Sequence, residues 1–342
     1  MQDGRNLQDG LSSAKLVGAL KAAGEITRLR VLALLAYGEY NVKDLTQILS
    51  QSQPRLSRHL KLLTDAGLVV RFQEGSSVFF RLRERGEAAR IAEQLLGALD
   101  PADPVIARDQ SRAEAVKRER GEEAQAYFQA HAAAWDEIRS LHAPEEKVEA
   151  AMLALLGPGP FGLIADLGTG TGRVLELVAP RARRVVGYDI NRNMLSYARA
   201  KLADRGITNA QIRQGDIFSI DLAEGSADAV IIHQVLHFLD DPAKAVAEAA
   251  RILKPGGRLI IADFAPHGLE ALREEYSHRR LGFDRALVDG WFEKAGLKAE
   301  GYKAVEPARG SEGKLTVSLW LAVRPDNRKD RQHQDAEMPA EG

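Results

Sequence analysis

Between Asp166 and Gly172 the chain reads Asp-Leu-Gly-Thr-Gly-Thr-Gly, an acid followed by glycines at alternate positions. An apolar strand is expected to end at Asp166 and a helix to begin near Arg173, so the glycines form the turn between them. A ligand can approach a glycine backbone more closely than any Cβ would allow. The spacing is GxGxG, which differs from the GxGxxG that seats a pyrophosphate on a helix N-terminus. Two more acids end expected strands: Asp189, 17 residues beyond Gly172, and Asp216, after Gly215. An acid at the tip of a second strand can accept hydrogen bonds from both hydroxyls of a ribose. One at the tip of a third can accept from an adenine amino group beside apolar Ile217. The three acids together describe a pocket for a nucleoside that lacks a pyrophosphate and carries positive charge, which Asp166 favours. S-adenosylmethionine, with its amino group and sulfonium, has that chemistry.

Short apolar strands alternating with helices must position these residues. Strands are expected at 163–166, 185–189, 211–214, 229–232 and 258–263, an alternation that argues for βα units around a parallel sheet. A final pair, 297–305 and 315–323, reads as an antiparallel hairpin. The domain so defined spans 158–324 and follows the break Gly157-Pro158-Gly159-Pro160. Residues 325–342 are polar and aperiodic and read as a disordered tail.

The motifs DLGTGTGR at 166, GYDINRNML at 187, GD at 215, ADAVIIHQVLHFLDDP at 227 and LKPGGRLIIADF at 253 resemble those of class I S-adenosylmethionine-dependent methyltransferases, particularly the small-molecule type related to ubiquinone and menaquinone biosynthesis. The resemblance implies a Rossmann-like seven-stranded sheet whose last strand is antiparallel. It implies a cofactor site drawn from Asp166, Gly168, Thr169, Gly170, Gly172, Asp189, Ile190, Met194, Asp216, Ile217 and His233, in which Asp189 holds the ribose and Met194 and Ile217 flank the adenine. Methyl transfer is an in-line displacement at a cation, so positioning and desolvation can carry most of it and no base is required. No catalytic residue is therefore assigned. His233, His237, His267 and His278 either line the pocket of a small-molecule acceptor or serve structurally. Tyr127, Phe128 and Trp135 either lie over the cofactor as a lid or pack helices.

The chain has 342 residues, 45% hydrophobic and 28% charged, with a formal net charge of −1. That length suits two domains. Charge is unevenly spread: residues 15–85 carry twelve Lys or Arg against six Asp or Glu, a hint of nucleic-acid contact by this part. There is no cysteine, which removes disulfides, thiolate metal sites and cysteine nucleophiles and speaks against arsenite, a thiophilic acceptor. No apolar run approaches the ~20 residues of a membrane span, and a cytoplasmic location without membrane partners is the expectation.

Residues 12–100 are expected to form the first domain and 101–157 a helical linker and lid. Leu16–Leu35 reads as one helical stretch, and Asn41 as the N-cap of a short helix through Leu49. A second helix, with Leu56, Leu60 and Leu63 inward, runs through Ala66 to a stop at Gly67. A hairpin of 68–73 and 78–82 comes next, then an amphipathic helix over 88–99. That order is a winged helix-turn-helix, giving an α/β chain overall. Leu20–Leu32 and Ser57–Val69 resemble the ArsR/SmtB family of bacterial repressors. The resemblance implies a homodimer, built from the first helix and the helix at 88–99, that reads double-stranded operator DNA. The candidate DNA contacts are Gln53, Arg55, Ser57, Arg58, His59 and Lys61 on the second helix and Arg71 and Arg81 on the wing. At the positions where metal-sensing members carry ligands the chain has Tyr40–Leu45 and Arg90–Leu95, with no Cys or His, so no metal site is expected. Two functions stand: a regulator with a methyltransferase domain that methylates a small molecule, senses S-adenosylmethionine or S-adenosylhomocysteine, or does both; or a small-molecule methyltransferase whose winged helix only dimerises.

Overall fold

A computed structural model describes residues 12–74, 77–83, 86–100, 102–131, 145–307 and 315–326. The chain clusters into two compact units, Met1–Glu122 and Glu123–Gly342. The turn at Gly75 and Ser76, Trp135 and the tail from 327 onward lie outside the described residues, as does the side chain of Tyr127.

The first unit opens with α1 (Ser13–Ala23) and α2 (Ile26–Leu35). The single stretch expected over 16–35 is thus two helices. Gly24 ends the first, and the extended Glu25 starts the second by accepting from Arg28 N at 3.0 Å, the side-chain satisfaction an N-terminus needs. After the short β1 (Tyr40–Asn41), α3 (Val42–Leu49) begins with a reciprocal capping box between Asn41 and Asp44. α4 (Gln53–Asp65) buries Leu56, Leu60 and Leu63 at helical spacing against Leu32, Leu45 and Ile48. β2 (Val69–Glu74) and β3 (Ser77–Leu82) pair antiparallel, with β1 on the far side of β3, and α5 (Glu87–Gly97) follows.

α6 (Pro104–His131) begins inside this unit. Its Ala113 and Val116 complete the core. Asp109 receives both ends of the buried Arg30 guanidinium, at 2.5 and 2.8 Å. Arg112 donates to Ile48 O at 3.2 Å and Ser50 Oγ at 2.8 Å. The stretch expected as a linker is therefore shared out: the start of α6 fills one core, and α7 (Glu145–Leu156) fills the other with Val148, Met152 and Leu156.

The second unit is built on a seven-stranded sheet. Its strands are β4 (Phe161–Leu167), β5 (Ala182–Asp189), β6 (Ala210–Gln214), β7 (Ala227–His233), β8 (Leu253–Phe264), β9 (Lys298–Val305) and β10 (Val317–Val323). They lie in the order β6-β5-β4-β7-β8-β10-β9. The first five are parallel and β10 is antiparallel to both neighbours. The central strands are buried apolar runs, such as Ala229–Ile232 and Leu259–Ala262, because helices cover both faces. On one face α7 and α8 (Arg173–Val178) pack; on the other, α10 (Pro242–Ile252) and α12 (Arg285–Lys294) contribute Val246, Ala249, Val288 and Phe292. Between these come α9 (Arg192–Asp204) and α11 (Ala271–Glu275). No described helix is long and apolar enough to cross a membrane.

Candidate cofactor crevice and nucleic-acid face

β4 pairs with β5 on one side and β7 on the other. The connections leave in opposite directions there, which opens a crevice outside the carboxyl ends of the strands. Asp166 stands at the end of β4, buried to 1% exposure. The glycine loop that follows is stitched to the tip of β5. Gly168 N and Thr169 N both donate to Tyr188 O at 2.8 Å, and Gly170 N donates to Asp189 Oδ2 at 2.9 Å. Gly168 has φ +79, and a Cβ there would lie 2.4 Å from Val235 Cγ2, so any side chain is excluded by conformation and by space. Gly172, also at φ +79, starts α8. Arg173 then clamps α8 to α7 through two 2.7 Å bonds to Glu149, which hold the guanidinium well above its usual pKa.

Asp189 serves both sides of the crevice. Its Oδ2 accepts from Gly170 and its Oδ1 from Asn191 N at 2.8 Å. Burial pushes its carboxyl above the ordinary range, against the lowering by these backbone donors. Asn191 in turn caps α9 by accepting from Asn193 N and Met194 N. Met194 is buried, Ile217 half-buried and Ile190 49% exposed. Asp216 is exposed, and its Oδ1 accepts from Phe218 N at 2.9 Å, which shapes its own turn. His233, at the end of β7 opposite Ala262 of β8, is buried. The expected residues thus come from four strand ends around one loop.

Asp263 was given no role by sequence reasoning. It ends the apolar run of β8 as Asp166 and Asp189 end theirs, and that repeated pattern is the signal that could have found it. It accepts from His237 Nδ1 at 2.7 Å and from Phe264 N at 2.7 Å, with His237 N 3.3 Å from its second oxygen. Of the histidines considered, His237 and His278 come together, ring centroids 4.2 Å apart, and His267 lies against Phe264. Phe128 stands edge-on to Phe238 at 4.8 Å.

In the first unit, Gln53, Arg55, Ser57, Arg58 and Lys61 are all exposed along α4. His59, expected beside them, is not. It lies between the buried positions 56, 60 and 63, and its side chain, 13% exposed, faces Glu25 at 3.5 Å. On the wing Arg71 is exposed, whereas Arg81 is half-buried, 3.5 Å from Glu39 and over the Phe72 ring.

Residues 165–261 match the family model described as a methyltransferase domain, and residues 26–70 match that of bacterial regulatory proteins of the arsR family. The chain is 30% identical over 177 residues to an arsenite methyltransferase of Halobacterium salinarum, covering 50% of this chain and 44% of that protein. It is 35% identical over 134 residues to a demethylmenaquinone methyltransferase of Thermus thermophilus, covering 38% and 60%. In both cases it spans less than two thirds of the relative's length. A solved SAM-dependent methyltransferase from Aquifex aeolicus is similar at 21% identity and a TM-score of 0.44, over 55% of this chain and 97% of that one. Residues 165–261 are thus similar to methyltransferase domains, and residues 26–70 to the arsR family of bacterial regulatory proteins.

Proposed function

We propose that the chain is a DNA-binding regulator whose C-terminal domain binds S-adenosylmethionine and methylates a small molecule. The observation that carries this reading is the loop from Asp166 to Gly172, cross-linked to Asp189 and closed to side chains at Gly168. The donor set fits the cofactor: carboxylates suit a cationic amino acid and sulfonium, and an acid at the second strand tip suits ribose hydroxyls. Bound there, the cofactor would supply an electrophilic methyl group. Asp166 would favour its positive charge, Asp189 would hold the ribose, Met194 and Ile217 would flank the adenine, and His233 would line the cofactor side of the acceptor space. Fixed orientation is a contribution that a displacement at a cation needs, and the hydrogen-bonded loop beside buried Asp166 and Met194 would supply it. Arsenite, named for one relative, is a poor acceptor here because this chain has no cysteine to ligate it.

For the N-terminal domain the reading is operator binding by a homodimer, with Arg55, Ser57, Arg58 and Gln53 presented to the major groove and Arg71 to phosphate. The exposed basic face of α4 favours this over a purely dimerising winged helix, which has no use for it. A ligand that prefers one dimer geometry would shift DNA affinity. Footprinting of the DNA upstream of the protein's own gene, with and without S-adenosylmethionine and S-adenosylhomocysteine, tests the regulator. Protection that changes with ligand is expected, and absence of protection under every condition overturns it. Transfer of label from S-adenosylmethionine to a small molecule of a cell extract tests the enzyme.

A further inference from the structure

His237 and Asp263 form a pair that cofactor binding does not require. Asp263 is fully buried and His237 is 2% exposed. The carboxylate already accepts from two backbone amides, Phe264 N and His237 N. It is an acceptor toward the ring as well, so Nδ1 carries a proton, and in the neutral imidazole Nε2 then holds the lone pair. Pinning the turn needs only the backbone bond; the 2.7 Å ring bond adds a fixed tautomer and a counter-charge for an imidazolium.

The pair is also in the right place. Asp263 lies one residue past the register position of His233, at the carboxyl end of the strand beside β7. Two residues before His237, Val235 packs on Gly168 of the glycine loop. One short turn therefore touches the loop at one end and Asp263 at the other. Aromatic rings surround the imidazole: Phe238 at 4.0 Å, His278 at 4.2 Å and Phe264 at 5.1 Å between centroids. The Arg279 guanidinium is engaged by Asp240 at 2.5 Å, while the backbone N–H groups of Arg279 and Arg280 donate to His237 O. His267 stands edge-on to Phe264, ring centroids 5.8 Å apart.

We infer that His237, oriented by Asp263, is the base for an aromatic hydroxyl acceptor that enters among these rings. The acceptor oxygen forms a bond to the methyl carbon while the carbon–sulfur bond breaks with its electron pair to sulfur. The hydroxyl proton passes to Nε2, so S-adenosylhomocysteine, a methyl ether and an imidazolium paired with Asp263 result. This rests on the methyltransferase reading above and names its substrate class.

The test uses the full-length chain with S-adenosylhomocysteine and 4-nitrocatechol, whose phenolate absorbs visible light. Wild type should bind both and show the phenolate band at a pH where the free probe is mostly protonated. His237→Asn keeps an N–H where Nδ1 stood and deletes Nε2. It should bind S-adenosylhomocysteine unchanged, lose the band, and transfer label from S-adenosylmethionine to the probe about 10²–10⁴-fold more slowly. Asp263→Asn should weaken the band in the same direction and covers the case in which the first variant does not fold. An unchanged band in a variant that still binds S-adenosylhomocysteine overturns the role of His237. Failure of wild type to bind the probe, or binding without the band, overturns the acceptor class. Failure of wild type to bind S-adenosylhomocysteine overturns the cofactor reading itself.

Discussion

The cofactor crevice and the outer face of α4 achieve their proposed roles by opposite means. In the crevice several groups are engaged by protein: Asp189 by two backbone amides, Asp263 by His237, Gly168 by the Val235 side chain. On α4 the candidate groups other than His59 are exposed, and among the described residues Lys61 has the exposed Asp65 at 3.6 Å. The lesson concerns how each region fails. A crevice built from mutual constraint should lose its ligand in steps, because one change disorders several groups. A charged face should lose affinity in increments.

The largest effect is expected beneath the face and not on it. Asp109→Ala strands the Arg30 guanidinium, whose pKa the carboxylate holds up, in the N-terminal core. It should cost about 3–5 kcal/mol of domain stability in chemical denaturation. A loss under about 1 kcal/mol would show that this core does not depend on the pair. Gly168→Ala comes next, at roughly 2–4 kcal/mol from a left-handed backbone plus overpacking on Val235. It should read out as lost S-adenosylhomocysteine uptake with DNA binding retained. Equal binding by this variant would end the contrast from the crevice side.

Asp189→Ala should weaken uptake by about 2–3 kcal/mol, as expected for a charged acceptor removed from several donors. Its pH dependence has a definite sign. Burial raises the carboxyl pKa in the free protein, so the neutral form persists to higher pH than for an ordinary aspartate. Ribose hydroxyls favour the ionised form, so uptake should strengthen as pH rises through that raised range, with release of a proton. Calorimetry in buffers of different ionisation enthalpy measures it, and a pH-independent affinity would contradict the role of Asp189.

On α4 the increments are smaller. Arg58→Ala should cost about 1–3 kcal/mol of operator affinity if it reads a base, with cofactor uptake unchanged. Lys61→Ala, the smallest effect, should lower the salt slope of binding by about 1 and leave sequence preference alone. A single α4 substitution that abolished all DNA binding would break the incremental picture.

What was legible in the sequence follows the same division. The five parallel strands, the closing antiparallel pair and the Asn41 cap were readable because each depends on local pattern: buried apolar runs, a glycine-lined turn, an acid three residues past a capping amide. The split at Gly24 was missed because the apolar spacing continues across it while Glu25 supplies a cap of its own. His59 was named among the candidate contacts without regard to helical phase, which turns it toward Glu25. Joining residues 26 apart in sequence, the His237–Asp263 bond depends on β7 and β8 being neighbours. The share of α6 in the first core was hidden for a similar reason, since Asp109 meets Arg30 across 79 residues.

The most direct measurement is isothermal titration of S-adenosylhomocysteine into the folded full-length chain. The crevice described here predicts saturable uptake at one site per chain. A flat titration, from protein whose circular dichroism shows it folded, would contradict the assignment of the loop at Gly168 as a nucleoside seat.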